Sequence, residues 1–315
     1  SLPGKYPEEF ISSLACDGRT VRGDFRGMPV HIVAMKDLPV FKESVLLDVD
    51  MDYLQGRAQA PGSTGAVELV RGFYRGLKEK GLPAGFVTIS ASVGGGYFPL
   101  RFKHAAGYLK TLFASPERLQ EEPPQALKSQ ERFEQLFQKQ DIARALDENR
   151  RLAGLDPSSP LPAFNRARVC ARRDELKGMV EGLEGAAAKD PSYLYGYITL
   201  FQELYGRGSK ELGRALLEEA VKRHPGYLPL YLELGPILLE SRRYAQAAKL
   251  YRFALARDGR IPFFHSGLAF SLFRLGHEQE AQKAMERYRR ISQAGDNRDG
   301  VIRAWEAMNK IAHPR

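Results

Sequence analysis

The chain has 315 residues, of which 43% are hydrophobic, with two cysteines and a net charge of +9. That length suits about two domains, and the apolar content suits packed cores rather than disorder. Cys16 and Cys170 form neither a disulfide framework nor a zinc knuckle, no apolar run reaches the ~18 residues of a membrane span, and Ser1 opens no signal-peptide pattern, so the expectation is a cytoplasmic chain.

Residues 1–26 show no clear period. Residues 30–35 predict a short buried strand. Residues 45–52 predict a second, whose apolar start and acidic end is the pattern of a parallel α/β sheet, where ligands sit beyond the strand ends. A Gly/Pro/Ser loop over 56–65 leads into a helix over 66–80, with Val67, Val70, Phe73, Tyr74 and Leu77 at helical spacing. Gly81-Leu82-Pro83 stops it. Residues 86–92 predict a third strand ending at Gly94-Gly95-Gly96, and a helix over 100–113 closes the region. So few elements leave a sheet with uncovered faces and unpaired edges. The expectation is that residues upstream of Ser1, as part of a larger α/β domain, or a partner chain complete it.

Asp48, Asp50 and Asp52 alternate along the second strand, which places three carboxylates on one face. Like charges at a buried strand end call for a cation or hydrogen bonds, and oxygen ligands of this kind suit Mg²⁺ or Mn²⁺. The competing reading is a solvated strand end or acids capping the next turn. The glycine run lacks a phosphate-loop pattern, and Ser90 and Ser92 lack His/Asp partners in the sequence.

The run Leu47-Asp48-Val49-Asp50-Met51-Asp52-Tyr53-Leu54 resembles the late Asp-x-Asp motif of the arginase/agmatinase (ureohydrolase) superfamily, in its peptide-arginase branch. Ala60-Pro61-Gly62-Ser63-Thr64-Gly65, and the strand 87–92 followed by Gly95-Gly96-Tyr97-Phe98-Pro99, are similar to that family's following loop and its last strand and loop. The resemblance covers roughly 30–113. It implies an arginase-like parallel sheet, two Mn²⁺ ions held by Asp48 and Asp50, and attack of a metal-bound hydroxide on a guanidinium carbon; Asp52 has no assured counterpart. The family's earlier His and its Asp-x-His-x-Asp strand are not in this sequence, where the region holds only His31 and His104. A manganese-dependent hydrolase of guanidino or related C–N bonds, acting on a peptide among other substrates, then requires ligands from upstream or from a partner chain, and enzymatic activity stays open.

After an acidic, proline-bearing linker over 117–125, Pro123, Pro157, Pro191, Pro225 and Gly259 recur every 34 residues. Four further sets keep the same step: Ala145, Met179, Gly213, Ala247 and Ala281; Leu152, Ala186, Ala220 and Ala254; Leu136, Cys170, Leu204, Leu238 and Leu272 among them. Small residues recur where paired helices must approach, larger apolar ones where neighbouring pairs pack. This period and pattern resemble the tetratricopeptide repeat, a helix-turn-helix unit that stacks into a solenoid. The first pair, near 126–154, reads as an atypical capping repeat; Pro160 and Pro162 begin the second; 194–258 holds the clearest two; 261–290 makes a fifth. A last helix over 301–311, with Val301, Trp305, Met308 and Ile311 on one face, closes the stack. The organisation is a partial arginase-like α/β segment (1–116), the linker (117–125) and an all-α solenoid (126–315).

In that family the first helices of the pairs line a concave groove. The resemblance implies that Leu161, Phe164, Tyr195, Ile198, Gln202, Tyr205, Leu232, Leu239, Phe263, Phe270 and Phe273 line it here, a surface for an extended or helical apolar peptide. Against this stands simple packing between helices. The Lys/Asn pattern that clamps a terminal carboxylate is absent. Up to Glu122 there are 15 Lys/Arg against 14 Asp/Glu, and after it 32 against 24. A basic solenoid suits an acidic partner or RNA, but no aromatic residues sit on strands as nucleic-acid modules require, and solvated helix faces are the favoured account. The best-supported function is protein or peptide binding.

Overall fold

The computed structural model describes residues 8–18, 20–52, 65–91, 98–292 and 301. The chain divides into two units, Ser1–Arg151 and Leu152–Arg315.

The first unit begins with α1 (Glu8–Ser13) and an antiparallel meander of β1 (Ala15–Asp17), β2 (Thr20–Phe25) and β3 (Met28–Val33). Arg26 and Gly27 both have positive φ, 56° and 80°, the two-residue turn whose twist matches a hairpin. Asp24 Oδ1 accepts from the Gly27 amide at 2.7 Å. This corrects two expectations. Residues before 26 are not irregular; the strand Thr-Val-Arg-Gly-Asp-Phe escapes a periodicity reading because charge and glycine interrupt its alternation. The strand expected over 30–35 is β3, which ends at Val33 and pairs antiparallel with β2, not within a parallel sheet.

β4 (Val45–Asp50) and β5 (Ala84–Ser90) do form a parallel pair, joined across α2 (Ala66–Glu79). α3 (Lys103–Ala114) and α4 (Gln125–Gln138) follow. The core of this unit holds Val49, Met51, Val67, Val70, Tyr74, Leu109 and Leu112, with Tyr74 edge-on to Phe113 at 5.0 Å. The start of α2 has no cap from its own side chains. Instead Glu131, on α4, accepts from the Val67 amide at 2.8 Å, filling one of the donors that a helix start leaves open. A Cβ at Gly65 would lie 2.2 Å from that carboxylate, so this position requires glycine. Arg71 donates to the carbonyls of Leu119 (2.6 Å) and Glu121 (2.9 Å) and to the Tyr108 hydroxyl (2.8 Å). It thereby holds the turn after α3.

α5 (Ile142–Leu155) crosses the division, and the second unit consists of four helix pairs: α6 (Leu161–Arg172) with α7 (Leu176–Ala187), α8 (Gly196–Gly206) with α9 (Lys210–Arg223), α10 (Pro229–Glu240) with α11 (Tyr244–Leu255), and α12 (Pro262–Arg274) with α13 (Glu278–Ile291). Every pair turns by one device. Gln140, Asp174, Gly208, Arg242 and Gly276 have φ of 61°, 58°, 90°, 57° and 79°. The amides of Asp141, Glu175, Ser209, Arg243 and His277 bond back to the carbonyls of Leu136, Cys170, Leu204, Leu238 and Leu272 at 2.8–3.0 Å. This is the left-handed residue and six-to-one hydrogen bond of a Schellman closure, and it recurs every 34 residues. The repeat expected from composition is thus written in the backbone.

The small-residue positions lie where expected. Ala145, Met179, Ala247 and Ala281 are 0% exposed, as are Ala186, Ala220 and Ala254. Tyr251, on α11, fills the space over two glycines: added Cβ atoms would lie 2.3 Å from its hydroxyl at Gly235 on α10 and 2.3 Å from its ring at Gly267 on α12. The last pair ends in a cluster of Ala269, Leu272, Ala281, Met285 and Tyr288, against which Phe270, Phe273 and Val301 pack. The helix expected over 301–311 otherwise lies outside the described residues. Among those described, no helix is long and apolar enough to cross a membrane.

Candidate functional site

In the second unit, four sets of residues spaced by 34 fall on the first helices of successive pairs: Tyr195, Pro229 and Phe263; Ile198, Leu232 and Ser266; Gln202, Pro236 and Phe270; Tyr205, Leu239 and Phe273. Their surroundings separate them. Leu232 is 37% and Phe263 40% exposed, large for apolar side chains with nothing covering them. Tyr195, Tyr205, Leu239, Phe270 and Phe273 are half-buried, while Gln202 and Pro236 are exposed. Phe164 and Ile198 are each 1% exposed. They are core residues, Phe164 standing edge-on to Tyr193 at 5.3 Å, and they present no surface to a ligand. Leu161 is buried likewise.

Two features of this surface escape a search for apolar periodicity. Pro236 lies inside α10 and has no N–H for the Leu232 carbonyl one turn back, so this acceptor loses its helical donor beside the exposed Leu232 side chain. Glu233 is half-buried next to it. Burial raises its carboxyl pKa, offset in part by a hydrogen bond with the Gln202 side chain. Burial also raises the Tyr195 phenol, with the Glu233 charge adding to the effect. The 34-residue register offered a signal, since Glu233 follows Thr199 and Pro236 follows Gln202 by one period. At the far end of α8, Tyr205 donates to Glu240, and Lys210 lies 3.1 Å from the same carboxylate and 4.6 Å above the Tyr205 ring. The chemistry available is apolar and aromatic contact with a few hydrogen-bonding groups, which suits recognition of a peptide.

The acids of the first unit are arranged differently from expectation. Asp48 and Asp50 share the exposed face of β4 with Leu46, which is 69% exposed, and opposite them on β5 stand Thr88, Ser90 and Phe86. Thr88 Oγ1 donates to Asp48 Oδ1, and the Asp52 amide donates to Asp50 Oδ1 at 3.1 Å. The strand ends at Asp50, so Asp52 leaves the alternation that would have set it on the same face; it is half-buried beyond the strand. Among the described residues no three His, Cys, Asp or Glu side chains come together as a metal site would need. The loops 60–64 and 92–97 quoted for the arginase resemblance lie outside the described residues. Two carboxylates do not fit a dinuclear manganese centre, and nothing in the fold of this unit shows arginase-like character.

No protein-family model matches this chain, and no curated protein matches it. Solved structures give likenesses of scaffold. YrrB, described as a TPR protein with an unusual peptide-binding site, is 14% identical over 63% of this chain and 97% of its own, with a TM-score of 0.37. MamA is 14% identical over 50% of this chain and 93% of its own, TM-score 0.34. MamA of Desulfovibrio magneticus RS-1 is 15% identical over 53% and 94%, TM-score 0.33. The description of the second unit as a tetratricopeptide-type solenoid rests on its own backbone period and helix pairs.

Proposed function

We propose that the helix-pair repeats form a protein- or peptide-binding solenoid whose ligand lies along the first helices of the pairs. The observation that carries this is the set of uncovered apolar residues in register from one pair to the next, with Leu232 and Phe263 at its centre. A folded chain does not ordinarily leave such residues aligned and open unless something else covers them. The Leu232 carbonyl and the Gln202–Glu233 pair supply the directional contacts. The unpaired Cys16 and Cys170 support a reducing, cytoplasmic setting for it.

The test is a random-peptide display selection on the whole chain, followed by affinity measurement of the enriched peptides. Leu232→Asp/Phe263→Asp is expected to weaken them about tenfold or more, the loss of apolar contact from two open side chains. Enriched peptides that bind this variant as well as the parent would overturn the reading.

The alternative, a manganese-dependent hydrolase of guanidino or related C–N bonds, is favoured by one observation: a parallel strand pair carrying Asp48 and Asp50 at its carboxyl end. It requires ligands beyond those described, and no reaction step is derived for it. Calorimetric titration of Mn²⁺ into the chain and into Asp48→Ala/Asp50→Ala decides it. Heat lost in the variant supports a site; no heat in the parent removes the reading.

A further inference from the structure

The second helices of the pairs carry a surface of their own. Between α9 and α11 runs a groove of 580 Å³ whose floor is Tyr231, Leu234 and Leu238 of α10. Between α11 and α13 lies another, of 440 Å³, floored by His265, Leu268 and Leu272 of α12. They are one feature repeated: Leu234, Leu238 and Lys249 of the first stand 34 residues before Leu268, Leu272 and Lys283 of the second. One wall of the first groove is aromatic. Phe253 is 40% exposed, stacks on Tyr231 at 5.7 Å, and carries the Arg257 guanidinium 3.4 Å over its ring.

The rims are basic. In the first groove the acid Glu218 is already engaged by Arg214 at 2.5 Å and lies 4.0 Å from Arg243. In the second, Glu280 is paired with Arg252 at 2.7 Å. Lys249, Lys283, Arg287 and Arg290 line the two grooves and have no acidic partner among the described residues. Two adjacent apolar troughs edged by unneutralised cations are complementary to one chemistry, apolar side chains interleaved with carboxylates.

We propose that this repeated groove docks an acidic amphipathic segment of a partner protein, its apolar side chains entering the two troughs and its carboxylates meeting Lys249 and Lys283. The proposal rests on the peptide-binding reading of the repeats but assigns this ligand to the second helices, away from Leu232 and Phe263. Exposed, unpaired lysines on a helix surface otherwise only keep the chain soluble. The repetition of both floor and rim at one period is what distinguishes a site.

The experiment uses the full chain and a fluorescein-labelled synthetic peptide of about four helical turns, with Leu and Phe on one face and Glu and Asp on the other, read by fluorescence anisotropy. Two control ligands are the same peptide with Leu and Phe replaced by Ser, and a single-stranded oligouridine. The parent is expected to bind the amphipathic peptide. Lys249→Glu/Lys283→Glu is expected to lose about tenfold or more, Lys249→Ala/Lys283→Ala less, and Leu232→Asp nothing. Circular dichroism confirms that each variant is folded. Equal binding by the charge-reversed variant overturns the groove. Loss on Leu232→Asp alone also overturns it while leaving the peptide-binding reading standing. Equal affinity for the serine peptide or the oligouridine reduces the effect to attraction for any polyanion and sinks the proposal, as does failure of the parent to bind the amphipathic peptide.

Discussion

Single side chains in the first unit carry structural work that no local pattern announces. Glu131 caps α2 across 64 positions of sequence. Replacing Glu131 with Ala should lower stability by roughly 1–2 kcal/mol, the ordinary cost of an N-terminal cap; chemical denaturation measures it, and an unchanged midpoint would deny the cap its role. His104, on α3, is the other case. Burial pushes its imidazole down from 6.5 to about 4, against the opposing pull of Glu134 and a backbone hydrogen bond with Arg101. The folded state therefore resists a proton that the unfolded chain accepts readily. Stability from this group is complete above pH 6.5 and drains as pH falls toward 4, by up to about 3 kcal/mol. Denaturation midpoints taken across that window should show a steep limb in the parent and a shallower one in His104→Leu. Parallel limbs would mean that the carboxylates alone account for acid sensitivity.

At the level of elements, the five Schellman turns are the clearest device in the molecule. Two of the five left-handed positions hold glycine, the residue suited to positive φ; Gln140, Asp174 and Arg242 hold the same conformation at a steric cost. Arg242→Gly should therefore stabilise the chain, by roughly 0.5–1 kcal/mol, whereas glycine at a normal helical position would destabilise it by a similar amount. A lowered thermal midpoint for Arg242→Gly would show that the arginine side chain contributes more than the backbone strain costs. The hairpin of β2 and β3 illustrates the opposite situation. Its turn is Arg26-Gly27 and its first strand carries Arg22, Gly23 and Asp24, so neither turn nor strand matches the usual composition, and only pairing with β3 organises it.

For the molecule as a whole, stability in the solenoid is spread over like units, each leaning on its neighbours. Ala247 sits 0% exposed between α10 and α11 at a position that is small in most of the repeats. Ala247→Trp should cost about 1–3 kcal/mol by overpacking one pair, read as a lower denaturation midpoint; a tryptophan tolerated there at no cost would mean the pairs are looser than their burial implies. The 34-residue ladder of Pro123 to Gly259 foretold this architecture, and also foretold which residues share a register. It could not foretell which of those residues are open. Phe164 and Ile198 occupy the same repeat positions as residues that line the surface further along, yet both are covered, because exposure at a position depends on the side chains that the next pair happens to bring.

The chain's own order of residues thus determined the repeats, their turns and their small contact positions, since these arise from interactions a few residues long, multiplied by a fixed period. Tertiary structure alone decided the antiparallel meander, the capping of α2 by Glu131, the departure of Asp52 from the strand face, and the pair of basic grooves along the second helices. Each of these depends on groups far apart in sequence being brought within a few ångströms, and no periodicity records that distance.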